Sequence, residues 1–146
     1  MPFRKPETPT TALNAIYQRF WQGFNEESCR NNDFCLEFNP HPHATIRSYQ
    51  DYTIGQPYHI VIGINFKKHE IRIGAYFCDL VAYKFCYETQ RTLIEGRINR
   101  RLKWTLHQTK ASAYLYDSVD FDENHGWGAC YKKIIGDMLL IKRAFV

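Results

Sequence analysis

The sequence of 146 residues contains no long apolar run, and its opening segment, MPFRKPETPT, carries charge and proline instead of an apolar stretch. A membrane-spanning helix needs about 20 apolar residues, and a secretory signal needs an apolar core of its own. We therefore expect a cytoplasmic protein with no membrane partner. The five cysteines include no CxxC pair, which is typical of reduced, mostly buried thiols rather than of a disulfide framework.

The excess of positive over negative charge is also small, because the net charge is +4 and the isoelectric point is about 8.8. This balance permits an acidic partner such as DNA or RNA but does not require one. Hydrophobic residues make up 45% and charged residues 23% of the chain, as in an ordinary globular domain, whereas the aromatic share of 16% is high. We expect a flexible proline-rich tail over residues 1–10 and a single domain over residues 11–146.

Apolar residues recur every three or four positions in three parts of the chain, and each part predicts a helix. The first helix follows a threonine cap at residue 10 or 11 and ends near residues 29–32. The second follows Asp79 and extends to about Asn99. The third starts near Glu123, with Asp122 or Asn124 as its cap.

Apolar and polar residues alternate with a period of two in other segments, and this alternation predicts strands. Residues 58–66 and 70–77 form the clearest pair, an antiparallel hairpin whose isoleucines face the core. Pairing core residue with core residue places Gly63 opposite Gly74. Further strands are predicted at residues 34–38, 49–54, 102–107 and 111–116, and an acidic turn at residues 117–122. Together these elements predict an α+β domain with an antiparallel sheet of about four to six strands and three helices, in the order α-(β)-β-β-α-β-β-α.

Several segments carry a family resemblance: FWQGFNEE in the first helix, the paired strands HIVIGINF and EIRIGAYF, then LIEGRINRRLKW, and the closing YDSVDFDE with a later tryptophan and AFV. Over about residues 12–146 the chain resembles an uncharacterised bacterial family that is catalogued as domain of unknown function 4268. The family often has a glycine before the LKW strand, where this chain has Asn99 and Arg100. The resemblance implies an accessory domain beside or fused to restriction-endonuclease-like domains, in a bacterial DNA-defence setting, and it implies no catalytic residues.

Two groups of residues invite comparison with metal sites. Asp51 followed by Glu70-Ile71-Arg72 is similar to the Mg²⁺ site of restriction nucleases, but Arg72 stays protonated and is a poor substitute for the usual lysine. The second group could supply zinc ligands: Cys29, Cys35, His41 and His43. Structural zinc sites usually have tighter CxxC or HxxxH pairs. An exposed strand face and a polar loop explain both groups, so we assign no catalytic residue, metal or cofactor.

The outward layer of the predicted sheet is the main candidate for function. If all three helices cover one face, the other face presents aromatic rings flanked by cations, a combination that stacks bases and holds phosphates. The predicted nucleic-acid-binding residues are Arg72, Tyr76, Arg101, Lys103, His107, Tyr114 and Tyr116. The tyrosines could instead pack beneath the long segment at residues 38–57. In that case the sheet would have a structural role only and no exposed binding surface.

Three functions remain open at this point. The first is a non-catalytic accessory module that binds DNA or RNA in a restriction or defence context. The second is a protein-interaction module with no nucleic-acid role, whose partner is a nuclease-like protein or a second copy of the chain. Such a partner would bind the open face or the edge strand at residues 49–54. The third is a metal-dependent nuclease-like enzyme.

Overall fold

The computed structural model describes residues 6–122 and 126–145. The strands are β1 (Tyr49–Thr53), β2 (Tyr58–Asn65), β3 (Glu70–Phe77), β4 (Lys103–Leu106) and β5 (Ala111–Ser118). They form one antiparallel sheet in the order β1-β2-β3-β5-β4. The helices are α1 (Ala12–Cys29), α2 (Asn32–Glu37), α3 (Leu80–Phe85), α4 (Arg91–Ile98) and α5 (Gly128–Phe145). The α+β class and the antiparallel sheet are confirmed.

The β2–β3 hairpin has the predicted faces, but its predicted register is wrong by two residues. Gly63 pairs with Arg72, and Gly74 pairs with Val61. The connecting turn is longer than expected, because the side chain of Asn65 accepts a hydrogen bond within the turn at 3.0 Å and the backbone at residue 69 adopts a left-handed φ of 51°. A shift of two residues keeps every side chain on its face, so the isoleucines remain in the core.

Residues 34–38 do not form the predicted strand, because most of them belong to helix α2. The side chain of Asn31 caps this helix by accepting a hydrogen bond from the Phe34 N–H at 2.9 Å. Phe34 and Phe38 are four residues apart and buried, whereas Leu36 is 84% exposed. The apolar residues at 34, 36 and 38 fit a period of two, but burial follows the four-residue spacing of a helix.

The second predicted helix has the expected ends but is interrupted. The Asp79 side chain accepts hydrogen bonds from two N–H groups of the first turn, at 2.9 and 3.2 Å. Asn99 ends the helical region in a left-handed conformation with φ of 59°. A π-helical turn, Cys86–Gln90, separates α3 from α4. Such a turn inserts an extra residue, so the apolar stripe of a continuous helix is offset and Tyr87 is left 38% exposed.

The last helix begins later than predicted, at Gly128 rather than near residue 123. Gly126 has a left-handed φ of 71°, a conformation that no α-helix contains, so the helix cannot extend back through it. Glu123 and Asn124 lie outside the described residues. The acidic turn is also shorter than predicted, because β5 extends through Ser118.

The helices and one face of the sheet share a single hydrophobic core. Alternate residues of β2, β3 and β5 join buried residues of α1, α2, α4 and α5 in this core. Phe20 and Trp21 of α1 are fully buried, and the Phe20 ring contacts Phe66 and Tyr131 at centroid distances of 5.9 and 5.1 Å. In residues 6–122 and 126–145, the side chains on the opposite face of the sheet are not members of the core.

The long segment before β1 lies against α1. The Trp21 side chain donates a hydrogen bond to the Arg47 carbonyl at 2.8 Å, and Asn14 donates to the Ile46 carbonyl at 3.1 Å. The Ile46 N–H in turn donates to the Glu7 carboxylate at 3.2 Å. These contacts hold the segment beside the helix layer, so the alternative in which it seals the sheet tyrosines is not what the described residues show.

Candidate nucleic-acid interface

The outer face of the sheet consists of the side chains that point away from the core. Across the five strands these are Tyr49, Asp51, Thr53, His59, Val61, Gly63, Arg72, Gly74, Tyr76, Lys103, Thr105, Ser112, Tyr114 and Tyr116. Tyr49 and Tyr116, on β1 and β5, are 37% and 39% exposed. The outer face is therefore open to solvent at these two tyrosines, whereas Val61 and Ser112 between them are only 6% and 8% exposed.

Strands β3, β5 and β4 bring two cation–tyrosine pairs together on this face. The guanidinium carbon of Arg72 is 5.4 Å from the centre of the Tyr114 ring, and the Lys103 Nζ is 5.7 Å from the centre of the Tyr116 ring. The two rings are 6.2 Å apart at an interplanar angle of 79°. Both cations are close enough for a cation–π interaction. Burial raises the pKa of Tyr114, so its hydroxyl stays protonated at neutral pH.

Tyr76 lies on the same face of β3, at the next outward-facing position after Gly74. It is half-buried, and its cross-strand neighbours are His59 on β2 and Ser112 on β5. The name basic aromatic patch is used below for Arg72, Tyr76, Lys103, Tyr114 and Tyr116. Five of the seven sequence-predicted residues thus share one side of the outer face.

The remaining two predicted residues lie outside the strands. Arg101 precedes β4 and His107 follows it, and both are exposed. They are six positions apart, which corresponds to about 20 Å along an extended chain, so they flank the basic aromatic patch from opposite ends of β4. The structure brings neither of them into contact with the tyrosines.

The predicted basic cluster beside the patch is smaller than the sequence suggests. Arg97 donates a hydrogen bond to the Ala144 carbonyl of α5 at 3.0 Å. Arg100 makes two hydrogen bonds to the Asp117 carboxylate, at 2.7 and 2.8 Å. Arg97 thus connects α4 to α5, whereas Arg100, just after α4, connects that end of the helix layer to β5. Arg101 and Lys103 are the cations of this cluster that remain near the outer face.

Two glycines shape the centre of the outer face. A Cβ atom added at Gly63 would come within 2.5 Å of the Arg72 side chain, so the guanidinium occupies the space that a larger residue would fill. A Cβ added at Gly74 would come within 1.9 Å of the Ala113 carbonyl oxygen. The two positions are therefore constrained by different groups, a flexible side chain at Gly63 and the backbone of β5 at Gly74. The alternating pattern of the hairpin identified both glycines but not these partners.

The carboxylates of the nuclease-like pattern are far apart. Asp51 pairs with Val61, and Glu70 pairs with Asn65, two strands away from β1. Positions 61 and 65 are four residues apart, so the two carboxylates are separated by about 13 Å along the strands alone. Ligands of one Mg²⁺ lie about 2.0–2.1 Å from the ion. Asp51 instead has the His59 Nδ1 at 3.2 Å.

The other metal candidate is also dispersed. The Cys35 Sγ is 3.4 Å from the Ser28 carbonyl, and the His41 Nε2 donates a hydrogen bond to the Asp51 carbonyl at 2.7 Å. Across residues 6–122 and 126–145, no three His, Cys, Asp or Glu side chains are grouped so that they could hold an ion. The expectation of mostly buried thiols was wrong, because Cys29, Cys35 and Cys78 are exposed.

Sequence reasoning missed two residues that complete the outer face next to the patch. Thr105 and Ser112 are cross-strand partners on β4 and β5, and Ser112 is also the cross-strand partner of Tyr76 on β3. Their hydroxyl groups add hydrogen-bond donors and acceptors beside the rings. The same alternation that predicted Lys103 and Tyr114 would have found them, since each lies two residues away along its strand.

None of the helices in the described ranges is long and apolar enough to cross a membrane. Comparisons of the chain with protein-family models, with curated proteins and with solved structures gave no match.

Proposed function

We propose that the chain is a non-catalytic accessory module that binds single-stranded nucleic acid on its basic aromatic patch. The observation that carries the proposal is the pairing of Arg72 with Tyr114 and of Lys103 with Tyr116 on a sheet face that is open to solvent. Unpaired bases can stack on tyrosine rings, and the adjacent cations can hold the phosphates between them. The family resemblance supports a bacterial restriction or defence setting.

The shape of the surface favours single strands over a duplex. The outer face is a sheet surface, and Tyr116 is exposed on a strand of that sheet rather than on a protruding helix. Direct reading of a duplex usually uses a helix or a β-ribbon inserted into the major groove. Splayed bases of a single strand can reach rings on a sheet without such an insertion.

Fluorescence anisotropy with labelled single-stranded DNA and RNA oligonucleotides tests the proposal. We expect binding at low salt that weakens steeply as salt rises, because phosphate contacts release counterions. Lys103→Gln should lower the slope of log affinity against log salt by about 1. Tyr116→Ala should reduce the affinity by about 10-fold, which corresponds to the loss of one stacked base.

Two matched substitutions serve as controls. Tyr49→Ala removes a tyrosine of similar exposure from the β1 side of the outer face, and Lys132→Gln removes an exposed lysine from α5. Both should leave the affinity unchanged. Absence of binding at low salt, or equal losses in the control variants, would overturn the proposal. Incubation with Mg²⁺ should leave the oligonucleotides intact, since a cleaved product would contradict a non-catalytic role.

A further inference from the structure

The two edges of the sheet are protected to different degrees. On β1, the Ser48 carbonyl accepts a hydrogen bond from the Ile64 N–H at 2.8 Å, so the alternate residues Tyr49 and Asp51 direct their backbone groups away from β2. The Thr45 hydroxyl donates to the Tyr49 carbonyl at 3.2 Å, and the His41 ring donates to the Asp51 carbonyl at 2.7 Å. The segment before β1 therefore covers this edge at the Tyr49 and Asp51 carbonyls, and we call it the capped edge on that ground.

The edge formed by β4 is open. The His107 N–H donates to the Lys110 carbonyl at 2.8 Å across the hairpin that joins β4 to β5. By the alternation of an antiparallel ladder, the backbone groups of Trp104 and Leu106 point away from β5. Among the hydrogen bonds of the described residues, none reaches the N–H or carbonyl of Trp104 or Leu106 on this side. The N–H of Leu102, at the start of the edge, is taken by the Glu95 carboxylate at 2.7 Å.

Apolar side chains accompany this open edge. Leu106 is 52% exposed and Tyr87 is 38% exposed. The Tyr87 ring is 5.7 Å from the half-buried Trp104 ring, on the inner side of the sheet. An edge that combines unpaired backbone groups with exposed apolar side chains is suited to pairing with another strand.

We propose that β4 pairs with β4 of a second copy of the chain, antiparallel, about a two-fold axis that passes through Thr105. In this register Trp104 of each copy lies opposite Leu106 of the other. Each of the two Trp104–Leu106 pairs exchanges two N–H to carbonyl hydrogen bonds, so all the outward groups of both residues are satisfied. The Thr105 side chains of the two copies meet on the outer face, and Thr–Thr pairs are favourable across strands.

The self-complementarity of the edge is the reason for choosing a second copy as the occupant. With the axis at Thr105, apolar Trp104 meets apolar Leu106, and Lys103 lies opposite the second copy's His107. An axis at Trp104 would instead pair Leu106 with Leu102, whose N–H is already held by Glu95. The proposed register is the one that uses the free donors and acceptors and no others.

Sedimentation velocity over a range of protein concentrations, without nucleic acid, tests the proposal. We expect a reversible shift from 17.3 kDa to twice that mass as the concentration rises. Leu106→Pro should abolish the shift, because it removes an outward N–H from an edge strand, where proline is tolerated. The matched control is Thr53→Pro, which removes an outward N–H from the capped edge of β1 and should leave the dimer intact. Circular dichroism and thermal melting check that both variants are folded.

Cross-linking tests the position of the axis. Residues opposite each other in a non-hydrogen-bonded pair have Cα atoms about 4.5 Å apart, within the range of a disulfide. Thr105→Cys should therefore give a covalent dimer when an oxidant is added, whereas Thr53→Cys should give no more than the wild type with its exposed cysteines. A monomer at every concentration, a dimeric Leu106→Pro variant, or equal cross-linking at residues 53 and 105 would each overturn the proposal. These readouts need no nucleic acid. The dimer can therefore be disproved while the proposed function stands, and the proposed function can be disproved while the dimer stands.

Discussion

Gly63 and Arg72 are cross-strand partners on the outer face, and the guanidinium of Arg72 occupies the space in which a side chain at residue 63 would begin. A β-carbon there would come within 2.5 Å of the guanidinium carbon. The absence of a side chain at residue 63 therefore leaves the space that the Arg72 guanidinium occupies beside Tyr114. This relationship makes the patch testable without changing any residue of the patch itself.

Gly63→Ala should weaken oligonucleotide binding without unfolding the protein. The added methyl group displaces Arg72 from the Tyr114 ring, and we expect the affinity to fall by about 3- to 10-fold, as for one lost phosphate contact. The stability should stay equal or rise slightly, because alanine loses less conformational entropy than glycine on folding.

A double-mutant cycle checks the mechanism of that effect. In an Arg72→Ala background, Gly63→Ala should have no further effect on affinity, because the group it displaces is gone. Equal losses in both backgrounds would show that the methyl group acts on something other than Arg72.

Gly74→Ala should destabilise the fold, in contrast to Gly63→Ala. Its Cβ would come within 1.9 Å of the Ala113 carbonyl oxygen and 2.8 Å of the Tyr114 Cα, and these backbone atoms cannot move without disturbing the β3–β5 ladder. We expect a loss of about 1–3 kcal/mol in the free energy of unfolding, measured by urea denaturation. Gly96→Ala is the control, because a Cβ there meets nothing within 4 Å, and it should stabilise α4 by about 0.5–1 kcal/mol.

Asp117→Asn should destabilise the protein at neutral pH. The Asp117 carboxylate accepts two hydrogen bonds from Arg100 and lies 3.2 Å from the Lys133 Nζ. These contacts, above all the hydrogen bonds from Arg100, hold the pKa of Asp117 below its usual value. Since both cations are partly exposed, we expect a loss of about 1–2 kcal/mol in the free energy of unfolding.

The pH dependence of this variant gives an independent check. A lowered pKa means that Asp117 contributes stability above its unfolded pKa of about 4, and that this stability is lost as the pH falls through the lower folded value. The difference between wild type and Asp117→Asn should therefore shrink below about pH 4. A difference that stays constant from neutral to acidic pH would contradict the assignment.

Asp137→Asn is the matched comparison, because Asp137 lies 3.2 Å from the same Lys133. Burial raises the pKa of Asp137 despite that lysine, so the ionised form is disfavoured in the folded state and stability increases as the pH falls through the raised value. Replacement by a neutral amide should cost less than Asp117→Asn or even stabilise the protein. A larger loss of stability for Asp137→Asn than for Asp117→Asn would contradict these roles, in which ionised Asp117 stabilises the fold and ionised Asp137 does not.

The faces of the sheet could be predicted from sequence, but the register could not. The alternation around Ile62 and Ile73 determines which side chains are buried, and this holds for any register that shifts by an even number of residues. The choice between such registers depends on the turn, where Asn65 accepts a backbone hydrogen bond. Nothing in the alternation of the strands carries that information.

Other features depended on contacts between distant residues. Gln50 lies on the inner face of β1 and is 1% exposed, which no hydrophobic pattern predicts for glutamine. Its amide is satisfied by Asn25 of α1 at 2.9 Å and by the Tyr52 hydroxyl at 3.1 Å. Likewise, the pairing of Arg100 with Asp117 removed a cation from the predicted basic cluster. Sequence patterns therefore fail to predict burial or available charge for side chains whose partners lie far away along the chain.

The difference between the two sheet edges bears on how large an assembly can become. A subunit that can be extended on one side alone stops growing after one addition, and the product is a closed pair. Loss of the hydrogen bonds that Thr45 and His41 make to β1 would give each subunit two edge strands that can pair with another copy. Copies can then add at both edges without limit, and fibres form. In the proposed assembly, the segment before β1, at the sheet edge opposite β4, thus decides whether a closed pair or a polymer forms.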